Sequence, residues 1–216
     1  MGKRKLSLES TRRPPFGASV FINCPFDSEY WSIFEAIVFC IVDCGFVPRS
    51  ALELTDSGEI RVHKLRDLIR GCKYAIHDLS RIELSQNTGL PRFNMPFELG
   101  LDLGARFYGP KSLREKRCLI LEGQQYTNQK AISDIAGQDP RYHNNSPTDA
   151  IREVRNWLQG VSGRKTVPGP ATITTRFADF SSVIPQAATA AGLDRKNLTF
   201  IDYVHMVEEW LRTPAP

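Results

Sequence analysis

With 216 residues, 41% of them apolar and including 12 Phe and 3 Trp, the chain suits one domain, with or without an appendage, around a sizeable core. Its greasiest run, Ala36 to Val42, is far short of the roughly 20 apolar residues that cross a bilayer, so no membrane span is expected. The formal charge is only +4, and much of the excess sits in Lys3, Arg4, Lys5, Arg12 and Arg13, so a nucleic-acid partner is not expected either.

Residues 1–17 read as a basic, solvated, disordered tail closed by Pro14-Pro15. No long apolar segment follows the basic start, so a secretory leader is not expected and a cytoplasmic location is. The five cysteines, Cys24, Cys40, Cys44, Cys72 and Cys118, show neither a CxxC pair nor zinc spacing, and read as buried free thiols.

Ser19-Val20-Phe21-Ile22-Asn23 is a short apolar run stopping at a polar loop, the first expected strand. Asp27 or Ser28 then offers an N-cap for a helix running to about Cys44, with Ile33, Ile37, Cys40 and Ile41 on one face and Gly45 as its stop. Phe46-Val47 opens a second strand towards Leu52. A helix from about Glu59 to Arg70 repeats Ile60, Leu65, Leu68 and Ile69, and Gly71 ends it. Tyr74 to Ile76 form the third strand and Arg117 to Glu122 the fourth. Strands alternating with helices predict a flavodoxin-like parallel sheet with helices on both faces over residues 18–160. Ser146-Pro147-Thr148-Asp149 opens a helix striped by Ile151, Val154, Trp157 and Leu158. Gly160 to Pro170 reads as a linker, and residues 171–213 as a C-terminal helical extension whose clearest helix is capped by Thr199.

Met95, Phe97, Leu99, Leu101, Leu103, Ala105 and Phe107 alternate as in a strand, but the run is too long for one. Asn94 as N-cap and Pro96 in the first turn favour a helix, and Gly100 and Gly104, one turn apart, would let it lie close to the sheet. Glu98 then falls in the first turn. There the helix dipole would lower its pKa and keep it ionised, as suits a nucleophile or an anion facing an oxocarbenium-like sugar. First-turn acids are also favoured for stability alone.

Right-handed crossovers put every strand-to-helix loop on one edge of such a sheet, where ligands bind in open α/β folds. Asp78, Ser80 and Glu98 belong to that edge. Asp78 at the end of its strand would line a site or cap the next turn, and His77 would pack on a helix or do acid–base work. Arg81 and Arg92 would hold phosphates or be solvated. Asp134, Gln138, Asp139, Arg141 and His143 form a polar cluster that matches no motif. GxGxxG, GxxxxGK[ST] and GxSxG are missing, which argues against a dinucleotide fingerprint, a phosphate loop and a hydrolase elbow, and no metal site is expected.

Val20 to Asn23 with Pro25-Phe26-Asp27, Ile76 to Ser80, and Asn94 to Gly100 with its Phe97-Glu98-Leu99-Gly100 core resemble the bacterial TIR-like proteins and the related nucleoside 2-deoxyribosyltransferase-like group. The likeness covers roughly Ala18 to Glu122. It implies a nucleotide-binding domain in which Glu98 attacks or stabilises the ribosyl C1′. It also implies that Asp78 lines the sugar or base pocket and that Asn23 and Phe26 contact the nucleotide. Ser50, Ser80, Arg92 and Asn94 complete the substrate-binding set expected at that edge. NAD would be the substrate rather than a cofactor, with a nucleoside as the alternative, and a homo-oligomer or an activating partner protein is implied, in antiphage defence. A non-catalytic module that binds a nucleotide signal is the remaining alternative. The Asp-Ser-Gly run usual before the transferase glutamate is missing, with Asn87-Thr88-Gly89 farther upstream, and Asn23-Cys24 replaces the Ser-Tyr pair common in TIR domains.

Overall fold

The computed structural model describes residues 14–81, 92–125, 132–135 and 137–213. Most of the basic tail (residues 1–13) and Asn87-Thr88-Gly89 lie outside them. Five parallel strands, β1 (Ser19–Asn23), β2 (Val47–Ser50), β3 (Tyr74–Asp78), β4 (Arg117–Glu122) and β5 (Arg141–Tyr142), form a sheet in the order β2-β1-β3-β4-β5. This is the flavodoxin-like strand order. β1 and β3 are buried along their whole length, as expected of central parallel strands covered on both faces. The side chains alternate: Val20 and Ile22 go to one face, Phe21 and Ala75 to the other.

Helices α2 (Arg61–Arg70) and α3 (Asn94–Tyr108) cover the Phe21 face, where Leu65, Leu68, Ile69, Leu101 and Ala105 meet. Helices α1 (Trp31–Asp43) and α4 (Pro147–Ser162) cover the other. Outside them lies a further layer, with α5 (Pro170–Ala190) packed on α1 and α4, and α6 (Phe200–Arg212) on α1 and α5. Helix α1 is therefore interior. Its residues Ile33 to Ile41 are all buried, and Phe39 is ringed by Phe177, Phe180 and Trp210. The C-terminal extension thus shares one continuous hydrophobic core with the sheet.

Several boundaries differ from the sequence reading. Helix α1 starts at Trp31 because Asp27 Oδ1 accepts the Tyr30 N–H at 3.0 Å and closes a turn ahead of the helix. Gly45 ends this helix as expected, in the left-handed conformation (φ 76°). The polar cluster after β4 contains a fifth strand, too short to show a period. Helix α5 was hidden by Pro185 in its interior, although Ile173, Phe177, Phe180, Ile184 and Ala188 keep a helical stripe. The 94–108 segment is a helix, but Phe93 is its N-cap residue, without a side-chain cap bond, and Asn94 is the exposed first residue. Gly100 and Gly104 do not lie against the sheet: a Cβ added at either meets none of the described residues within 4 Å. No helix among the described residues is long and apolar enough to cross a membrane. All five cysteines are free, and all but Cys118 are buried.

Candidate active site

β1 and β3 are neighbours although β2 lies between them in sequence, so the chain leaves their carboxyl ends in opposite directions and opens a crevice there. Asn23 ends β1 opposite His77, and Asp78 ends β3 opposite Leu121.

Asp78 is fully buried and both its oxygens are engaged. Oδ1 accepts from the Ser80 amide at 2.9 Å and from the Ser80 hydroxyl. Oδ2 accepts from the Tyr30 hydroxyl at 2.5 Å and from His143 Nε2 at 2.9 Å. Burial by itself would raise this carboxyl, but the donors His143, Ser80 and Tyr30 outweigh it and hold Asp78 below the ordinary carboxylate value. Burial, with Asp78 alongside, pushes the Tyr30 phenol well up, so it remains a donor. The His143 tautomer follows from its other nitrogen: Nδ1 accepts the Asn145 amide at 3.1 Å, so the proton is on Nε2 and points at Asp78. Asn144 and Asn145, both left-handed (φ 51° and 54°), bend the chain to make that bond. Ser80 Oγ also lies 2.9 Å from Nε2. In a Ser-His-Asp triad the serine and the acid sit on opposite nitrogens. Here they share one, so Ser80, His143 and Asp78 form a structural knot rather than a nucleophile relay.

A second buried relay lies beneath α3. Asn23 Nδ2 donates to Met95 O at 2.9 Å and lies 2.9 Å from His77 Nδ1. His77 Nε2 thus carries the proton and faces Asp102 Oδ2 at 3.6 Å. Lys116, fully buried, donates to the Ile69 and Cys72 carbonyls and stands 2.8 Å from Asp102 Oδ1. Burial opposes the Asp102 charge, but His77 and Lys116 prevail and lower its pKa. His77, Asp102 and Cys118 bring ligand-type atoms within 4.8 Å of one another. The Lys116 ammonium already balances Asp102, so the group is closed as an ion-pair cluster.

Glu98 lies one turn before Asp102 on the same side of α3. It is 7% exposed and has no hydrogen-bond partner among the described residues. The expectation of a depressed pKa is overturned: burial raises Glu98 to about 7, with Arg61 only partly opposing. The physical reason is position. With Phe93 as N-cap residue, Glu98 is the fifth helical residue, beyond the first turn where the dipole acts, so desolvation prevails. Nearby Cys24 is buried beside the negative Asp78, Glu98 and Asp27, which raises its thiol far above the reactive range.

The remaining expected residues separate. Phe26 is 38% exposed on the loop after β1, edge-on to Phe34. Arg92 pairs with Asp27 at 3.1 Å and Arg81 with Glu29 at 2.6 Å, so both tie the β1 loop to the segments around α3. Ser50 is fully buried and its Oγ accepts the Leu52 amide at 3.3 Å, a cap at the end of β2. Asn23 and Asp78 are buried with their polar atoms engaged, Glu98 is 7% exposed, and Phe26, Arg92 and Asn94 are exposed. Tyr30 was not singled out in the sequence because it sits in an apolar helix start, and His143 was named there only in a polar cluster without a role, since its segment has no periodicity. Two clefts among the described residues lie away from Glu98. One, of about 440 Å³, runs between α2 and α3, and another, of about 450 Å³, is bordered by Arg49, Glu53, Asp56 and Lys64.

Among the described residues the arrangement offers the Glu98 carboxyl group, raised to about 7, near the switch point of a flavodoxin-like sheet. Neither protein-family models nor curated proteins give a match to this chain.

Proposed function

We propose that the chain is a TIR-like N-glycosidase that cleaves NAD at the bond between nicotinamide and ribose, with Glu98 as its catalytic carboxylate. The observation that carries this reading is the contrast between the two acids at the crevice. Asp78 is saturated with donors and has no proton to give. Glu98 is desolvated, has only the charge of Arg61 to oppose that, and accepts no hydrogen bond among the described residues. A purine leaves a deoxynucleoside readily only if a general acid protonates it, which calls for a second working acid. A pyridinium leaves as neutral nicotinamide and needs no proton. Its positive charge beside Glu98 also adds to the partial compensation from Arg61, so substrate binding would drive Glu98 into its anionic form.

In the reaction the C1′–N bond breaks with its electron pair passing to the pyridine nitrogen. The cationic C1′ is stabilised by the Glu98 carboxylate, and water adds its oxygen to C1′ while its proton goes to solvent. The products are ADP-ribose, nicotinamide and a proton. The resemblance of the first-strand, third-strand and Glu98 segments to bacterial TIR-like proteins supports the same substrate and, on this reading, a role in antiphage defence.

The test is nicotinamide release from NAD by concentrated protein, beside deoxyadenosine as the competing substrate. Glu98→Gln should reduce release by at least about 100-fold with the fold unchanged by circular dichroism. Because the anion is the working form, kcat/KM should rise with pH through about 7 and level off above it. Base release from deoxyadenosine but not NAD, or cleavage of NAD unaffected by Glu98→Gln, refutes the proposal.

A further inference from the structure

Helix α3 buries Met95 and Leu99 in the core, yet its remaining residues are not arranged as on a free surface helix. Its two acids, Glu98 and Asp102, are buried, while Phe93, Phe97, Phe107 and Tyr108 are 65%, 55%, 59% and 91% exposed. Surface helices ordinarily turn charge outward. The glycines between these aromatics are equally out of place. An interior helical glycine is destabilising relative to alanine, and nothing among the described residues occupies the space a Cβ would take at Gly100 or Gly104. Among the described residues of one copy their smallness serves no close contact.

The face is also divided along its length. Phe93 and Phe97 project from its N-terminal half. The C-terminal half borders the cleft of about 440 Å³ between α2 and α3, lined by Ile69, Leu101, Gly104, Ala105, Tyr108 and Leu113. Knobs at one end and a hollow at the other are self-complementary under a two-fold axis that sets two α3 helices antiparallel.

We propose that two copies of this chain associate through α3, crossing at Gly100 and Gly104. Phe97 of each copy then seats over Gly104 and Ala105 of the other, and Phe93 near Tyr108, Gly109 and Leu113. The spacing agrees: an axis near Leu101 maps positions 93 and 97 onto 109 and 105. Arg66 and Arg70 border the cleft and offer cation–π contacts to the entering rings. From their exposures, the four aromatics alone supply roughly 500 Å² per copy and about 1,000 Å² for a pair, which reaches the threshold for a specific interface. The basic tail of the same chain is a poorer occupant, since Lys3, Arg4, Lys5, Arg12 and Arg13 would approach Arg66, Arg70 and Lys111.

Sedimentation equilibrium of the full chain across the micromolar range tests this. The expected mass is twice the 24.4 kDa of one chain. Gly104→Leu and Phe97→Glu should each return it to one chain mass, with the far-ultraviolet spectrum retained. Gly104→Leu is the sharper probe, because the added Cβ meets no atom of the described residues within one copy. A single-chain mass at every concentration overturns the proposal, as does a dimer that both substitutions leave intact. A dimer lost with Phe97→Glu but kept with Gly104→Leu rules out the crossing at the glycines. The mass is read without substrate, so this inference and the glycosidase reading fail separately.

Discussion

At the scale of single residues, burial sets the chemistry of the two crevice acids in opposite directions. Glu98 holds its proton more tightly in the folded chain than unfolded, so its folded pKa is raised. The stability this contributes is complete below the unfolded value of about 4.3 and is lost as pH rises through about 7. Solvent reaches part of the group, which reduces the loss to about 2 kcal/mol. The wild-type melting temperature should therefore fall by about 5 °C relative to Glu98→Gln between pH 5 and pH 8, as scanning calorimetry of the pair would read. Asp78 has the opposite sign. Its folded pKa is depressed, so its contribution is present above the unfolded value and is lost as pH falls through the folded one. Removing its main donor with His143→Ala should cost about 3 kcal/mol in urea unfolding, because a buried carboxylate loses its partner. Sequence reading found both acids from strand-end and helix-start patterns. It missed the sign of the Glu98 shift because one residue of capping position decides between dipole and desolvation. It named His143 but not its bond to Asp78, because a contact spanning 65 positions leaves no local trace.

At the scale of elements, helix starts were legible where a side chain does the capping and shifted where the backbone alone does. Ser146 and Thr199 sit as expected: Ser146 Oγ accepts the Asp149 amide, and Thr199 and Asp202 form a reciprocal capping box. Thr199→Ala should lower stability by about 1 kcal/mol, measurable by thermal unfolding, and Asp202→Asn by less. Phe93, by contrast, opens α3 with no side-chain bond, and Asn94 was the more plausible cap from sequence. β1, β3 and β4 were legible because central parallel strands are nearly continuous apolar runs, whereas β2, an edge strand carrying Pro48 and Arg49, stops at Ser50 instead of running to Leu52. The two residues of β5 were not legible, since they join the sheet only through register with Leu121 and Glu122. Gly100 and Gly104 show how a spacing can be read correctly and its direction wrongly: periodicity finds the shared face but does not say what lies across from it.

At the scale of the whole molecule, the chain is a sheet with one thin cover and one thick one. Helices α2 and α3 form a single layer, whereas α1 and α4 lie beneath α5 and α6. A chain ending after Ser162 would uncover the outer side of α1, including Phe39, and should be insoluble or molten by near-ultraviolet circular dichroism. Phe180→Ala in the full chain should cost about 3–5 kcal/mol in urea unfolding, since that ring touches Phe39, Tyr203 and Trp210. The division into an α/β domain and an extension was visible as a change of composition, but their common core was not. The interior position of α1 also bears on how the chain is made. That helix is complete by Asp43, and its outer cover begins only at Pro170, about 130 residues later. At about 5–20 residues per second the nascent chain carries its most apolar helix uncovered for roughly 6–25 s. Synthesis of this protein therefore depends on something on the ribosome, a chaperone or α4 folding early, to shelter Ile33 to Ile41 until the last two helices arrive.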